Sequence, residues 1–578
     1  MKKFSLIVLS VCIVASIVSA QTKEVVAIRK YTRDNMASMV GEFISFLSIP
    51  NVASDSVNIP GNTGFIMQMM KKRGIENIRL LYAVSKATPP AIYGEVNVPG
   101  AKRTIFFYAH YDGQPVNPDQ WAKGLSPFEP KLFSESIERN GKNIPFPKDS
   151  VFNPEWRIYC RSSSDDKAGV VAILNAFEAV RQSGIQSTSN LKFFFEGEEE
   201  AGSPHLQEIM QQHGSLLQSD LWIICDGPVH QSGKKQIVFG VRGDAHLELT
   251  VYASKRPLHS GHYGNWAPNP AMMLAKLLSS MKDDNGRVTI KGFYDDVTPL
   301  TATEKTALDK VPVADDQLKE ELGIAATETP GLRLNEAINL PSLNINGMQS
   351  GNIGKMASNQ IPTTASAVID LRLVLGNDWE RQQQKVIEHI KAQGYFVTDK
   401  EPTGDERKKH EKIIQVVAKK DGYNAQRTSM ELPIIKNVID AVGSTTQGQP
   451  VLVPTLGGSL PLYLFEKYLN AVTVTVPIAN HDNNQHAEYQ KPIYSEGSGD
   501  SYYVVLGYKS GSFIKIRNIS LGYTLDHKAL KTNAISSLKV YAQVVNPAIL
   551  FSKIGWLDMD TQAPTYNRGV TFGINAAF

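Results

Sequence analysis

The segment FFFEGEEEAGSPHL, residues 193–206, sets three phenylalanines against four carboxylates: Glu196, Glu198, Glu199 and Glu200. The short aromatic run reads as a buried strand, and the acids fall where it ends. Carboxylates this close repel one another. Solvent dilutes that repulsion, and a multivalent cation removes it. The decisive question is whether other strands deliver polar groups to the same place.

They do. TIFFYAH (Thr104–His110) and DLWIICD (residues 220–226) are equally apolar runs; one ends in His110, with Asp112 just beyond, and the other in Asp226. KAGVVAILNAFEAVRQSG (residues 167–184) has helical periodicity, follows Asp165 and Asp166, and ends at a glycine. Buried strands alternating with helices predict an α/β fold, a mostly parallel sheet flanked by helices. The carboxyl ends of such strands converge on one crevice. His110, Asp112, Asp165, Glu199, Glu200, Asp226 and, after the last α/β strand, His486 could therefore meet although hundreds of residues separate them.

A different pattern begins near residue 237. HLELTVYAS (residues 246–254) and TASAVIDLRLVL (residues 364–375) alternate apolar and polar residues, as half-exposed antiparallel strands do. Residues 237–395 read as a smaller α+β domain inserted into the first, which occupies residues 21–236 and 396–492. From residue 498 to 578 the pattern changes again: GSFIKIRNISLGYTL, SSLKVYAQVVN and GVTFGINAAF are long alternating segments that predict a short antiparallel β tail.

The net charge of +3 is small for 578 residues, and no long basic run is present, so nucleic acid is not an expected partner. MKKFSLIVLSVCIVASIVSAQTKE carries two lysines, an apolar run and the small-residue site Val18-Ser19-Ala20. Residues 1–20 read as a signal peptide, and the mature chain is expected to be exported, periplasmic or secreted. Cys160 and Cys225 are expected to be buried apolar residues, not a disulfide framework.

The acids and histidines at the strand ends form a mixed imidazole and carboxylate set. That favours zinc, with cobalt or manganese as alternatives. Five ligands are too many for one tetrahedral zinc and suit two metals sharing a bridging carboxylate. Each piece has a plainer reading alone: Asp165 and Asp166 as helix caps, the glutamates as a solvated loop, His486 as a surface residue. Their joint occurrence, in order at successive strand ends, favours the metal site.

At this point the sequence resembles a family. HYD, SSSDDKAG, EGEEEAGS, ICD, LHSG and HAE follow the motif order of the dizinc peptidases that include carnosinase, glutamate carboxypeptidase and aminoacylase, over roughly residues 25–490. The resemblance implies that His110 and Asp226 hold one zinc, Glu200 and His486 the other, and that Asp165 bridges them through a cis peptide to Asp166. It implies that Asp112 orients His110 and that Glu199 is the general base for a zinc-bridging hydroxide. Glu196 and Glu198 match no catalytic role and are expected behind the ligands or in solvent. His259, in the inserted dimerisation domain, would stabilise the oxyanion in a partner's site. Arg372 and Ser459 would hold the substrate carboxylate. The implied activity is hydrolysis of dipeptides or small peptides with a free carboxylate by a homodimer. N-acyl amino acids are the alternative substrate, and an inactive binding fragment is the alternative function. The sequence departs from the family at Cys160-Arg161-Ser162, where Gly-Arg-Gly is usual. His481 competes with His486 as a ligand, but the following Ala-Glu favours His486.

The tail departs further. The family's closing helix is missing, and residues 498–578 resemble the last strands of TonB-dependent outer-membrane receptors. About four strands cannot close a transmembrane barrel. The tail is therefore expected to be a non-native fusion, with outer-membrane association as its one locating role.

Overall fold

A computed structural model describes residues 22–84, 88–149, 152–153, 155–230, 232–313, 315–446, 448–479, 513–526, 529, 537–552 and 569–577. The expected leader, His481 and His486 lie outside them.

The first sheet has eight strands in the order Glu76–Leu81, Ala91–Val96, Asn190–Glu196, Thr104–His110, Leu221–Ile224, Thr473–Thr475, Gln236–Val238 and Val451–Val453. The central four run parallel, with Thr104–His110 between its partners in register from Ile105 to Tyr108. The opening segment sits at the middle of this sheet because it can be buried on both faces. Phe193 and Phe195 pack with Phe46, Ile66, Met70 and Leu174 under the helices Met36–Leu47, Ile59–Lys72 and Lys167–Gln182. Phe194 points the other way, edge-on to Trp222 at 5.6 Å, and Trp222 stacks on Phe106 at 3.8 Å. Burial of each ring contributes roughly 1.5–3 kcal/mol. With both faces covered, the carboxyl ends are where this sheet opens to chemistry. Cys160 and Cys225 are free and buried, as expected.

The second sheet is mostly antiparallel. Its main path runs Ser342–Gln349, Thr364–Leu373, Gly240–Tyr252, Ile413–Ala418 and Phe396–Thr398. Ala245, Leu247, Leu249, Ile369 and Leu371 bury one face against the helices Pro270–Ser279 and Trp379–Ala392. Asp244, His246, Asp370 and Arg372 occupy the opposite face, as period-two alternation requires. Phe396–Thr398 and Ile413–Ala418, beyond the expected boundary at residue 395, pair within this sheet. Ile414 and Val416 belong to its core.

The described tail strands belong, together with Asp316–Ala325, to a second compact unit. These strands, Phe513–Asp526, Ser537–Ser552 and Gly569–Ala577, make a three-stranded antiparallel sheet. The register places Leu521, Tyr523, Val540, Val570, Phe572 and Ile574 on one face, and all six are exposed. No helix among the described residues is long and apolar enough to cross a membrane.

Candidate metal centre

His110 ends the central strand and is fully buried. Its Nε2 lies 2.9 Å from Asp165 Oδ1, 3.6 Å from Glu199 Oε2 and 3.8 Å from Asp226 Oδ2. His110, Asp165 and Asp226 offer ligand atoms that all lie within 4.8 Å of one another. Three parallel strands supply the neighbourhood, and a helix start supplies Asp165.

The supporting contacts fix each group. Asp112 is fully buried, and its Oδ1 lies 3.3 Å from His110 Nδ1. The same carboxylate accepts the backbone amides of Glu199 and Glu200, each at 3.1 Å. Asp166 accepts the His110 amide at 3.1 Å and caps the following helix through Gly169 N at 3.0 Å. The capping reading of Asp166 is thus correct, and it coexists with the site. The Asp165–Asp166 peptide is cis, as the resemblance implied. Buried Lys167 donates to the Phe46 and Ile49 carbonyls at 2.8 and 2.7 Å, tying the helix start to the preceding helix pair.

The electrostatics answer the question raised by the glutamate run. Burial pushes Glu199 well above the ordinary carboxylate range, with Asp226, Glu200 and Glu196 adding to the effect. Burial and the Asp165 charge push Glu200 up to about 7. Burial also raises Asp226. Burial opposes a charged His110, but hydrogen bonds to Asp112 and Asp165 hold its pKa well above the ordinary imidazole value. A buried group of carboxylates that resists ionisation is one that a divalent cation would stabilise, and the donor set fits such an ion.

Glu196 and Glu198 are not in solvent. Both are buried; Glu196 accepts the Tyr108 hydroxyl at 2.7 Å, and Glu198 lies 2.9 Å from His205 Nδ1. Sequence reasoning missed Gln114, whose amide donates to Glu200 at 2.5 Å, two residues beyond Asp112. It also missed Asn51, which is fully buried and donates to the Tyr111 carbonyl at 2.7 Å and to Ser162 Oγ at 2.9 Å. Ser162 holds a left-handed backbone, φ 61°, where the family's glycine would stand. That conformation costs a non-glycine residue roughly 1–2 kcal/mol, and the Asn51 contact offsets part of it.

The remaining expected residues are not gathered at His110. His259 is exposed on the inserted unit, where its Nδ1 accepts the Gly261 amide at 3.1 Å. Arg372 lies on the polar face of the second sheet, 3.1 Å from Asp370. Ser459 ends a short strand that runs parallel to the start of Gly240–Tyr252, opposite Arg242.

A family model for peptidase family M20/M25/M40 matches residues 106–493. The chain belongs to peptidase family M20/M25/M40. Within that family it is 27% identical to the Cys-Gly metallodipeptidase of Candida albicans, over 77% of this chain and 88% of that one. It is 24% identical to the human Beta-Ala-His dipeptidase, over 70% and 76% of the two chains. The match to the Cys-Gly metallodipeptidase of Schizosaccharomyces pombe spans 60% of that protein's length. Among solved structures, an M20 family metallo-carboxypeptidase from Sulfolobus solfataricus shares the fold with a TM-score of 0.59 and 27% identity, covering 76% of this chain and 90% of that one. The M20 assignment accounts for the α/β sheet, the inserted unit and the order of the strand-end motifs. It makes the chain a hydrolase of the metallopeptidase class.

Proposed function

We propose that the chain hydrolyses dipeptides or small peptides that carry a free carboxylate, using divalent metal. The observation that carries this reading is the convergence of buried His110 and Asp226 with solvent-facing Asp165, beside Glu199, at the ends of parallel strands. Relatives named as dipeptidases support the substrate class. His110 and Asp226 would hold one ion, Glu200 and His486 the second, and Asp165 both, with zinc favoured over cobalt or manganese. Bound there, the ions would polarise the scissile carbonyl and lower the pKa of water.

The chain's own groups do the rest. Glu199 takes the proton of the attacking water and delivers it to the leaving amine. Asp112 holds His110 in one tautomer through Nδ1. His259 stabilises the oxyanion in a partner subunit's site, and Arg372 and Ser459 receive the substrate carboxylate. Homodimerisation through the inserted unit is supported by the edge strand Ser342–Gln349, where Ile345 and Met348 are exposed. N-acyl amino acids would use the same groups and are the alternative substrate. Export through the leader and membrane association through the apolar face of the tail complete the reading.

The test is metal content together with hydrolysis of a dipeptide and N-acyl amino acid panel, before and after chelation. The expected result is about two zinc ions per chain and cleavage that is lost on chelation and restored by zinc. A folded protein that retains no metal and cleaves nothing in the panel overturns the proposal.

A further inference from the structure

The strand Gly240–Tyr252 brings together two residues that are far apart in sequence. Arg372 is its antiparallel neighbour opposite Asp244, and Ser459 is its parallel neighbour opposite Arg242. The two expected contacts to a substrate carboxylate thus flank one strand within two positions of each other. Arg372 is also tightly held there. Its Nε lies 3.1 Å from Asp370 Oδ1 and 3.8 Å from Asp244 Oδ1. Asp370 is two residues earlier on the same strand and face, and its side chain is only 6% exposed. His246 stands opposite Asp370, with Nε2 3.2 Å from Asp370 Oδ1 and 3.7 Å from Asp244 Oδ1. Asn344, on the next strand, donates to Asp370 Oδ2 at 3.3 Å. Arg242 donates to the carbonyls of Leu340 and Arg372 and to Ser342 Oγ.

Taken as chemistry, this is a guanidinium whose inner edge is anchored by a buried carboxylate. A free arginine on a strand surface samples many rotamers, and that entropy is lost when it grips a ligand. Asp370 removes the loss in advance. Asp244 and Asp370 also offset the repulsion between Arg242 and Arg372, which would otherwise drive the two guanidinia apart. His246 and Asn344 in turn fix the orientation of Asp370.

We propose that Asp370 and Asp244, oriented by His246 and Asn344, are positioning residues that hold Arg372 for recognition of the substrate's terminal carboxylate. They set the preference for free-acid over amidated substrates. The inference rests on the proposed role of Arg372 and adds the groups that make it selective.

The experiment compares a dipeptide with its C-terminal amide as substrates of the zinc-loaded full chain. Asp370→Asn is expected to raise KM for the free acid roughly tenfold, with kcat changed little and the amide's kcat/KM unchanged. Asp370→Glu restores part of the preference, and Asp244→Asn shows the same split more weakly. Zinc content and circular dichroism stay at the wild-type level. If Asp370→Asn and Asp244→Asn alter both substrates equally while Arg372→Gln abolishes the acid preference, the positioning role is overturned and the Arg372 reading survives. If Arg372→Gln also leaves the acid-to-amide ratio unchanged, the Arg372 reading and this inference fall together. Should Asp370→Asn not fold, Asp244→Asn decides the matter: an unchanged ratio in that variant overturns the proposal.

Discussion

Asp112 and Glu199 are joined directly: Oδ1 of Asp112 accepts the Glu199 amide at 3.1 Å, while the other oxygen accepts the Glu200 amide at the same distance. One carboxylate therefore sets the backbone of Glu199, the proposed general base, and of Glu200, a proposed ligand, while lying against the ring of His110. Asparagine cannot substitute, because its NH2 would face an N–H donor. Asp112→Asn is expected to weaken zinc binding roughly 10–100-fold with unchanged far-ultraviolet circular dichroism. Calorimetric titration of zinc measures this, and wild-type affinity would assign the orienting role elsewhere.

Glu199 and Glu200 are adjacent, and the proposed function gives them different roles. Glu199→Gln is expected to lower kcat by roughly 10²–10⁴-fold while zinc content stays near the wild-type level. Metal analysis alongside steady-state kinetics separates the two effects. A Glu199→Gln enzyme with full turnover would remove the residue from the proton path.

The pH dependence of the metal-stripped protein follows from the buried acids. Burial chiefly pushes Glu196 and Glu200 from 4.5 up to about 7. Between those values the folded state binds more protons than the unfolded state, so stability falls as pH rises. The contribution is complete below about pH 4.5 and is lost as pH passes 7. The chelated protein should therefore melt at a higher temperature near the lower end of that window than near neutrality. Added zinc should raise the Tm most near neutrality. Thermal melts with and without zinc test this, and a stripped protein whose Tm rises across the window contradicts it.

The parts of this arrangement legible in the sequence are those set by local pattern. Phe193, Phe194 and Phe195 read as a buried strand, and each candidate metal-site acid or histidine within the described residues ends or follows such a strand or precedes a helix. The place of Phe396–Thr398 and Ile413–Ala418 in the second sheet was not legible because they pair in parallel after the helix Trp379–Ala392. Their apolar runs imitate the catalytic α/β pattern. Gln114, Asn51, His205 and Asp370 were missed for a different reason. Their roles depend on side-chain partners that only the tertiary fold brings near.

The tail gives a prediction about independence. The family match ends at residue 493, and the described tail strands pair only with one another. Truncation after residue 493 is expected to leave zinc content and dipeptide hydrolysis unchanged and to raise solubility, since it removes the exposed face of Leu521, Tyr523, Phe572 and Ile574. Kinetics and sedimentation of the two chains compare them. Loss of activity on truncation would mean that the tail supports the catalytic unit.

The strand Gly240–Tyr252 has a mechanical consequence. Its first residues pair with Gln426–Arg427 and Leu456–Ser459, and the remainder pairs inside the second sheet. On this side the catalytic and inserted units are joined by continuous extended backbone with no flexible loop between them. Any relative rotation must twist a hydrogen-bonded ladder, so the strand acts as a torsion spring. Within that ladder Arg242 is the partner of Ser459 and Asp244 the partner of Arg372. A twist of this ladder would change the spacing of Arg372 and Ser459, the proposed contacts to the substrate carboxylate, and so couple motion of the second sheet to the proposed grip on substrate.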